Sequence, residues 1–144
     1  MIRCADTSFL LSFYGSDVNT AAALRHVQQY HVPLIIHEVS SLEFENAVRL
    51  RKFRGKLSTP EAALITSAFQ ADISAGRVVM VALPLAQLFQ TASRLSALHT
   101  KDLGNRAYDI LQVAAALVAG ADELLSFDIR QRQLANAAGL RVGP

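Results

Sequence analysis

AYDILQVAAALVAG, residues 107–120, is almost wholly apolar, has the length of a helix and carries one carboxylate, Asp109. Alanine and leucine throughout give it a high helix propensity, and an apolar run without a polar face reads as a helix buried on most sides. Asp109 shares a face with Val113, Ala116 and Leu117, because residues three and four apart are neighbours on a helix. An ionised carboxylate in that setting is costly unless a buried cation or a bound metal offsets its desolvation. Three other acids stand in comparable positions along the chain.

With 144 residues the chain has the length of one domain, 1–144, large enough for a substantial core. A composition that is 51% hydrophobic and 18% charged excludes a disordered chain. The longest apolar run, residues 110–121, is interrupted by Gln112 and is too short to cross a bilayer, so no membrane partner is expected. Arg3 and Asp6 fall where the apolar region of a signal peptide would begin. The single cysteine, Cys4, excludes an internal disulfide and fits a reducing cytoplasm; its apolar neighbours make it a packed thiol. Net charge is only +2, but pooling four of the 12 acids in one site leaves 14 basic residues against 8 acidic ones. An acidic pocket in a basic surround suits a polyanion and a carboxylate-bound metal. Taken alone, the charge is explained more simply by an ordinary basic surface.

Residues 2–5 are a short apolar strand that ends at Asp6, followed by a helical turn. Ligand sites of open α/β sheets gather beyond the carboxyl ends of the strands, although an Asp there also serves as a plain helix cap. Residues 19–30 read as a helix with Leu24 and Val27 inward, and residues 34–36 as a short parallel strand. Residues 37–53 read as a long helix with Val39, Leu42, Asn46, Leu50 and Phe53 on one face and Glu43 among them. Glu45 points elsewhere. Asn46, one turn beyond Glu43, is placed to hydrogen-bond it, and the alternative for Glu43 is pairing with a nearby Arg. Arg49, Arg51, Lys52, Arg54 and Lys56 close this helix. They complement its dipole and are also available to a nucleic-acid backbone.

Ser58-Thr59-Pro60-Glu61 starts a further helix with a capping box, and its stripe of Leu64, Ile65, Ala68, Phe69 and Ile73 should fold back on the previous helix as a hairpin. Residues 77–83 are the clearest strand signal. Pro84 opens a helix with Leu85, Leu88, Phe89, Ala92 and Leu95 inward, followed by a polar loop over residues 99–104 and Asn105 as the cap of the central helix. His99 has no second His or Cys at ligand spacing, so zinc is a poor reading. Residues 123–127 form the last main strand, with Asp128 at its end as Asp6 is at the end of the first. A helix over 129–138 and an edge strand over 140–142 complete the chain.

This βαβα order argues a parallel sheet with helices on both faces. Asp6 and Asp128 would lie at one end of it, with Glu43 and Asp109 projecting from the N-terminal parts of nearby helices. Four acids converging on one pocket raise one another's pKa, and a hard divalent cation bound by oxygen ligands, magnesium or manganese, resolves that repulsion.

ADTSFLL, LEFENAVRLRKFRG, NRAYDILQVAAAL and LLSFDIRQRQLANAAGLRV together resemble the PIN-domain ribonucleases, and more closely the VapC-like toxins of bacterial toxin–antitoxin modules. The resemblance spans essentially the whole chain. It implies a three-layer α/β/α fold with a short-stranded, mainly parallel sheet and a protruding helical hairpin. It also implies a magnesium-dependent endoribonuclease with manganese as a substitute, whose acidic quartet falls on Asp6, Glu43, Asp109 and Asp128. Asp6, Asp109 and Asp128 would hold the metal, and Glu43 would complete the coordination or orient a water. Thr7 and Ser126 would hydrogen-bond metal waters or a phosphate, and Arg106 would contact the phosphate or pair with a quartet member. A small antitoxin protein, an RNA substrate and a homodimer are implied as partners. Ser126 stands where many members have Thr, and Gln112 where many have His. The competing class is a PIN-like module that binds RNA or protein without cutting. A phosphatase of the aspartyl-nucleophile type would need Asp at position 8, where Ser8 stands, and a dinucleotide-binding fold would need a glycine-rich first turn.

Overall fold

Residues 1–144 are described by a computed structural model. In chain order the elements are β1 (Arg3–Ala5), α1 (Thr7–Tyr14), α2 (Thr20–Gln29), β2 (Leu34–His37), α3 (Glu38–Phe53) and α4 (Thr59–Ser74). They continue with β3 (Val78–Val81), α5 (Leu85–Leu103), α6 (Ala107–Val118), β4 (Glu123–Leu125), α7 (Ile129–Ala137) and β5 (Arg141–Gly143). All strand pairs are parallel, in the order β3-β2-β1-β4-β5. Strand order therefore reverses beside β1, and the crevice between the ends of β1 and β4 is the switch point at which α/β sheets bind ligands.

Two apolar layers sandwich the sheet. Cys4 and Leu124 face α5, α6 and α7, packing with Leu88, Val113 and Leu134. Ala5, Leu34, Ile36 and Leu125 face the other layer with Phe9, Phe44 and Phe69. Alternation along each short strand thus sends successive side chains to opposite layers. Cys4 is a packed thiol as expected, and burial, with a smaller push from Asp6, raises its pKa to about 12. Central helix α6 buries Asp109, Ile110 and the unbroken run Gln112 to Ala116. No helix is long and apolar enough to cross a membrane.

Several expectations need correction. The inward face of α3 is Ser40, Ser41, Phe44 and Val48, whereas Leu42 and Phe53 are 68% and 87% exposed and Asn46 faces solvent. On α2 the buried residue is Ala23, and Leu24 is exposed; on α4 Leu64 is exposed beside buried Ile65 and Phe69. Leu85 and Phe89 of α5 are 67% and 57% exposed. Apolar residues on these helices outnumber the positions that the core can cover. Residues 99–103 continue α5 instead of forming a loop, because the stop is Gly104, whose left-handed φ of 64° closes the helix. Arg106, not Asn105, caps α6; Asn105 is buried and donates to the Arg130 carbonyl at 3.2 Å. β3, the clearest strand in the sequence, is a half-exposed edge.

A candidate active site at the switch point of the sheet

Asp6 and Asp128 each follow a three-residue parallel strand, and each caps the helix that comes next. Asp6 Oδ1 accepts from the Phe9 amide at 2.8 Å and from the Ser8 hydroxyl at 2.7 Å. Asp128 Oδ1 accepts from the amides of Arg130 at 2.8 Å and Gln131 at 3.2 Å. Capping and a site role are therefore compatible for both, since capping pins each carboxylate at the carboxyl end of its strand.

The two strand ends are laced together. Asp6 N–H donates to the Leu125 carbonyl at 3.0 Å, and Phe127 N–H donates to Ser8 Oγ at 2.9 Å. The rings of Phe9 and Phe127 stack at 5.9 Å. Ser126, fully buried, donates to Asp6 Oδ2 at 2.5 Å and accepts from the Asp128 amide at 3.0 Å. Asp6 itself is 0% exposed and has no Lys or Arg partner. Burial pushes its pKa up to about 6; hydrogen bonds from Ser126, Phe9 and Ser8 oppose that rise, and the Asp128 charge adds to it.

Glu43 reaches the same end of the sheet from α3. Its Oε2 accepts from the Thr7 hydroxyl, next to Asp6, and from Gln112 Nε2 at 3.1 Å. Gln112 Nε2 also donates to the Tyr108 hydroxyl at 2.7 Å, and that hydroxyl donates to the Val39 carbonyl at 3.3 Å. Burial, and then the charge of Glu43, hold the Tyr108 phenol above its ordinary pKa. Asp109, buried, accepts from Arg106 N–H at 3.1 Å and from Arg106 Nε at 3.5 Å, the second being an ion pair with a largely exposed guanidinium.

All four acids thus lie at one end of the sheet, but they do not meet at a common point. No three His, Cys, Asp or Glu side chains form a group able to hold a metal ion as they stand. Each carboxylate is held by its own hydroxyl, amide or guanidinium donors. Asn46 is exposed and does not touch Glu43; Thr7 and Gln112 occupy that part instead. Chemically the set suits a hard cation. It offers only carboxylate and hydroxyl oxygens, and Glu43 Oε1, Asp109 Oδ1 and Asp128 Oδ2 accept no hydrogen bond from the protein. Sequence reasoning passed over His37 and Tyr108. His37 carried a signal, since it ends a parallel strand as Asp6 and Asp128 follow theirs. A separate cleft of about 400 Å³, walled by Phe13, Tyr30 and Arg77, opens at the other end of the sheet and takes in none of the four acids.

The sequence matches the PIN domain over residues 3–137, a span that includes all four acids. The chain belongs to the PIN-domain family. Solved structures share its PIN fold. The sarcin-ricin loop-cleaving toxin VapC20 of Mycobacterium tuberculosis is 17% identical, with a TM-score of 0.71 and 99% of each chain covered. FitAcB of Neisseria gonorrhoeae is 16% identical, with a TM-score of 0.70, covering 99% of this chain and 97% of the other. VapBC2 of Rickettsia felis, bound to a DNA fragment from its promoter, is 14% identical, with a TM-score of 0.70 and the same coverage. At these identities the likeness is one of fold. No curated protein matches the chain in sequence.

Proposed function

We propose that this PIN domain is a magnesium-dependent endoribonuclease that hydrolyses RNA phosphodiester bonds and acts as the toxin of a toxin–antitoxin pair. The observation that carries the reading is Asp6: a fully buried carboxylate at the switch point, beside Asp128 and without any cationic partner. A protein that keeps such a group forgoes stability for it, as active sites do. Asp6, Asp109 and Asp128 would hold the ion, with Glu43 completing the coordination or orienting a water, and Asp109 would exchange Arg106 for it. Manganese is the natural substitute. When bound, the ion supplies a water of lowered pKa and neutralises phosphate charge. The chain's own groups do the rest. Ser8 and Ser126 fix the Asp6 carboxylate; Thr7 and Gln112 fix one oxygen of Glu43 and leave the other free. Arg106, released from Asp109, would contact the scissile phosphate.

Arg49, Arg51, Lys52, Arg54 and Lys56 crowd the end of α3, and only Arg49 has a carboxylate partner, Glu45 at 3.2 Å. Such a cluster supports contact with an RNA backbone. Two of the structural neighbours named above are complexes or bear the names of toxins, which supports a small antitoxin as partner; co-purification with the product of an adjacent small gene checks this. Leu85 and Phe89, exposed one turn apart on α5, support a homodimer, and a monomer by sedimentation at all concentrations would remove that part.

The second reading, a PIN module that binds without cutting, is favoured by the Arg106–Asp109 ion pair. One experiment separates the two. Purified protein is expected to cleave RNA with magnesium and to stop with chelator, and Asp6→Asn and Asp109→Asn are expected to fold yet lose cleavage. Wild-type cleavage by either variant overturns the nuclease assignment.

A further inference from the structure

Behind the four acids lies a buried polar pair that the chemistry above does not use. His37 ends β2 and caps α3, and its Nδ1 accepts from the Ser40 amide at 3.4 Å. With Nδ1 acting as acceptor, the hydrogen of a neutral ring resides on Nε2. That Nε2 is buried with no hydrogen-bond partner, and so is Oε1 of Gln112. Gln112 is brought to this part of the chain by Tyr108, whose hydroxyl accepts from Gln112 Nε2 at 2.7 Å and donates to the carbonyl of Val39, two residues after His37. An N–H donor and a carbonyl acceptor, both shut away from water and both otherwise idle, suit each other.

The amide has only one workable orientation. With Oε1 toward His37, Nε2 of Gln112 donates to Glu43 Oε2 and to the Tyr108 hydroxyl. Turned over, it would set its NH2 against the His37 Nε2–H and its carbonyl oxygen against the Glu43 carboxylate. Two attractive contacts would become two repulsive ones. Resting on the nuclease reading, we propose that His37 is a positioning residue: through Gln112 it locks the donor that orients Glu43 for RNA hydrolysis. Burial supports the arrangement by keeping His37 neutral, its pKa lowered to about 4 despite the opposing influence of Gln112. Thr7 donates to the same oxygen of Glu43 as Gln112 does, so the carboxylate is clasped at Oε2 and presents Oε1. Glutamine at position 112 thus works as half of a pair whose other half is the histidine at the end of β2.

Nitrogen-15 long-range spectra of the histidines in the full-length, metal-free protein give one test. His37 is expected as the Nε2-protonated tautomer, with its Nε2 resonance moving in Gln112→Leu. Cleavage at saturating magnesium gives the other. His37→Asn keeps the helix cap but is too short to reach Gln112. It is expected to fold, by its circular dichroism, and to lower kcat about tenfold with KM unchanged, as lost supporting hydrogen bonds around a site do. Gln112→Leu should lose about as much, and the double variant no more than either single one, because both break one chain. Should His37→Asn fail to fold, Gln112→Leu and the spectra decide. An Nδ1-protonated tautomer, a folded His37→Asn with wild-type kcat, or additive losses would each overturn the proposal. Wild-type protein that cleaves no RNA would remove the nuclease reading and with it the catalytic role, while the tautomer and the Gln112→Leu shift would still report whether the pair exists.

Discussion

Asp6 and Asp128 are written in the same local grammar and live in different surroundings. Both follow three-residue strands and both cap helices through Oδ1. Asp6, on the central strand, is sealed under α1 and the 126–128 segment with three donors around it. Asp128, one strand outward, is half-buried and takes only the two amides of its own helix. Sequence settles the capping; distance from the sheet's centre settles the electrostatics. A helix cap in a wet setting is worth keeping for stability, whereas the same residue in a dry one stays for another reason.

Substitutions can break this contrast. The largest expected effect is the loss of RNA cleavage in Asp6→Asn described above, and the same variant should be the more stable protein. Raising a carboxyl from 3.8 to about 6 corresponds to roughly 3 kcal/mol withheld from the fold at neutral pH, and asparagine caps as well as aspartate. Denaturant unfolding without metal should therefore show Asp6→Asn about 2–3 kcal/mol above wild type; an equal or lower midpoint would place the strain elsewhere. Ser126→Ala acts in the opposite sense. It strips a donor from Asp6 and leaves the Asp128 amide unpaired, so a loss of about 1–3 kcal/mol is expected in the same measurement. Asp128→Asn should change unfolding by less than about 0.5 kcal/mol, because the cap survives and little desolvation is relieved. A shift as large as that of Asp6→Asn would erase the distinction.

Acidity sharpens it further. A raised folded-state pKa makes the Asp6 contribution full below pH 3.8 and lost as pH climbs through about 6. His37 runs the other way: lowered from 6.5 to about 4, it contributes above pH 6.5 and that contribution disappears as pH falls through 4. Over pH 4 to 6 the two slopes oppose each other. The melting-temperature gap between Asp6→Asn and wild type should accordingly be widest above pH 6 and close below pH 4. A gap independent of pH would mean that Asp6 is not held protonated by its burial.

Much of this was legible in the residues. Short apolar runs ending in Asp6 and Asp128, and a helix apolar on every side around Asp109, carry the parallel sheet and three of the four acids because burial patterns survive in composition. The strand order β3-β2-β1-β4-β5 is not legible in them. What went astray depended on neighbours that a linear reading cannot see. The face of α3 was misjudged because Leu42, Leu50 and Phe53 are apolar yet uncovered, so they outvoted Ser40 and Ser41. Residues 99–103 read as a loop because their polarity marks exposure, which a solvent-facing helix end shares. Convergence of the acids was argued from topology, and topology brought them to one end of the sheet; the side-chain torsions that give each its own donor lie below that resolution. Gln112 was noticed only as a departure from a family pattern, and its partner His37 became visible only once β2 and α6 were side by side.

Because β1 is laid down first and pairs with both β2 and β4, its second neighbour emerges from the ribosome only after some 120 more residues. Until then the crevice has one wall, the serine that fastens Asp6 is absent, and the apolar face awaiting β4 stands open. The crevice is therefore assembled only once β4 has been made, so a fragment cut short before residue 123 would lack one of its walls.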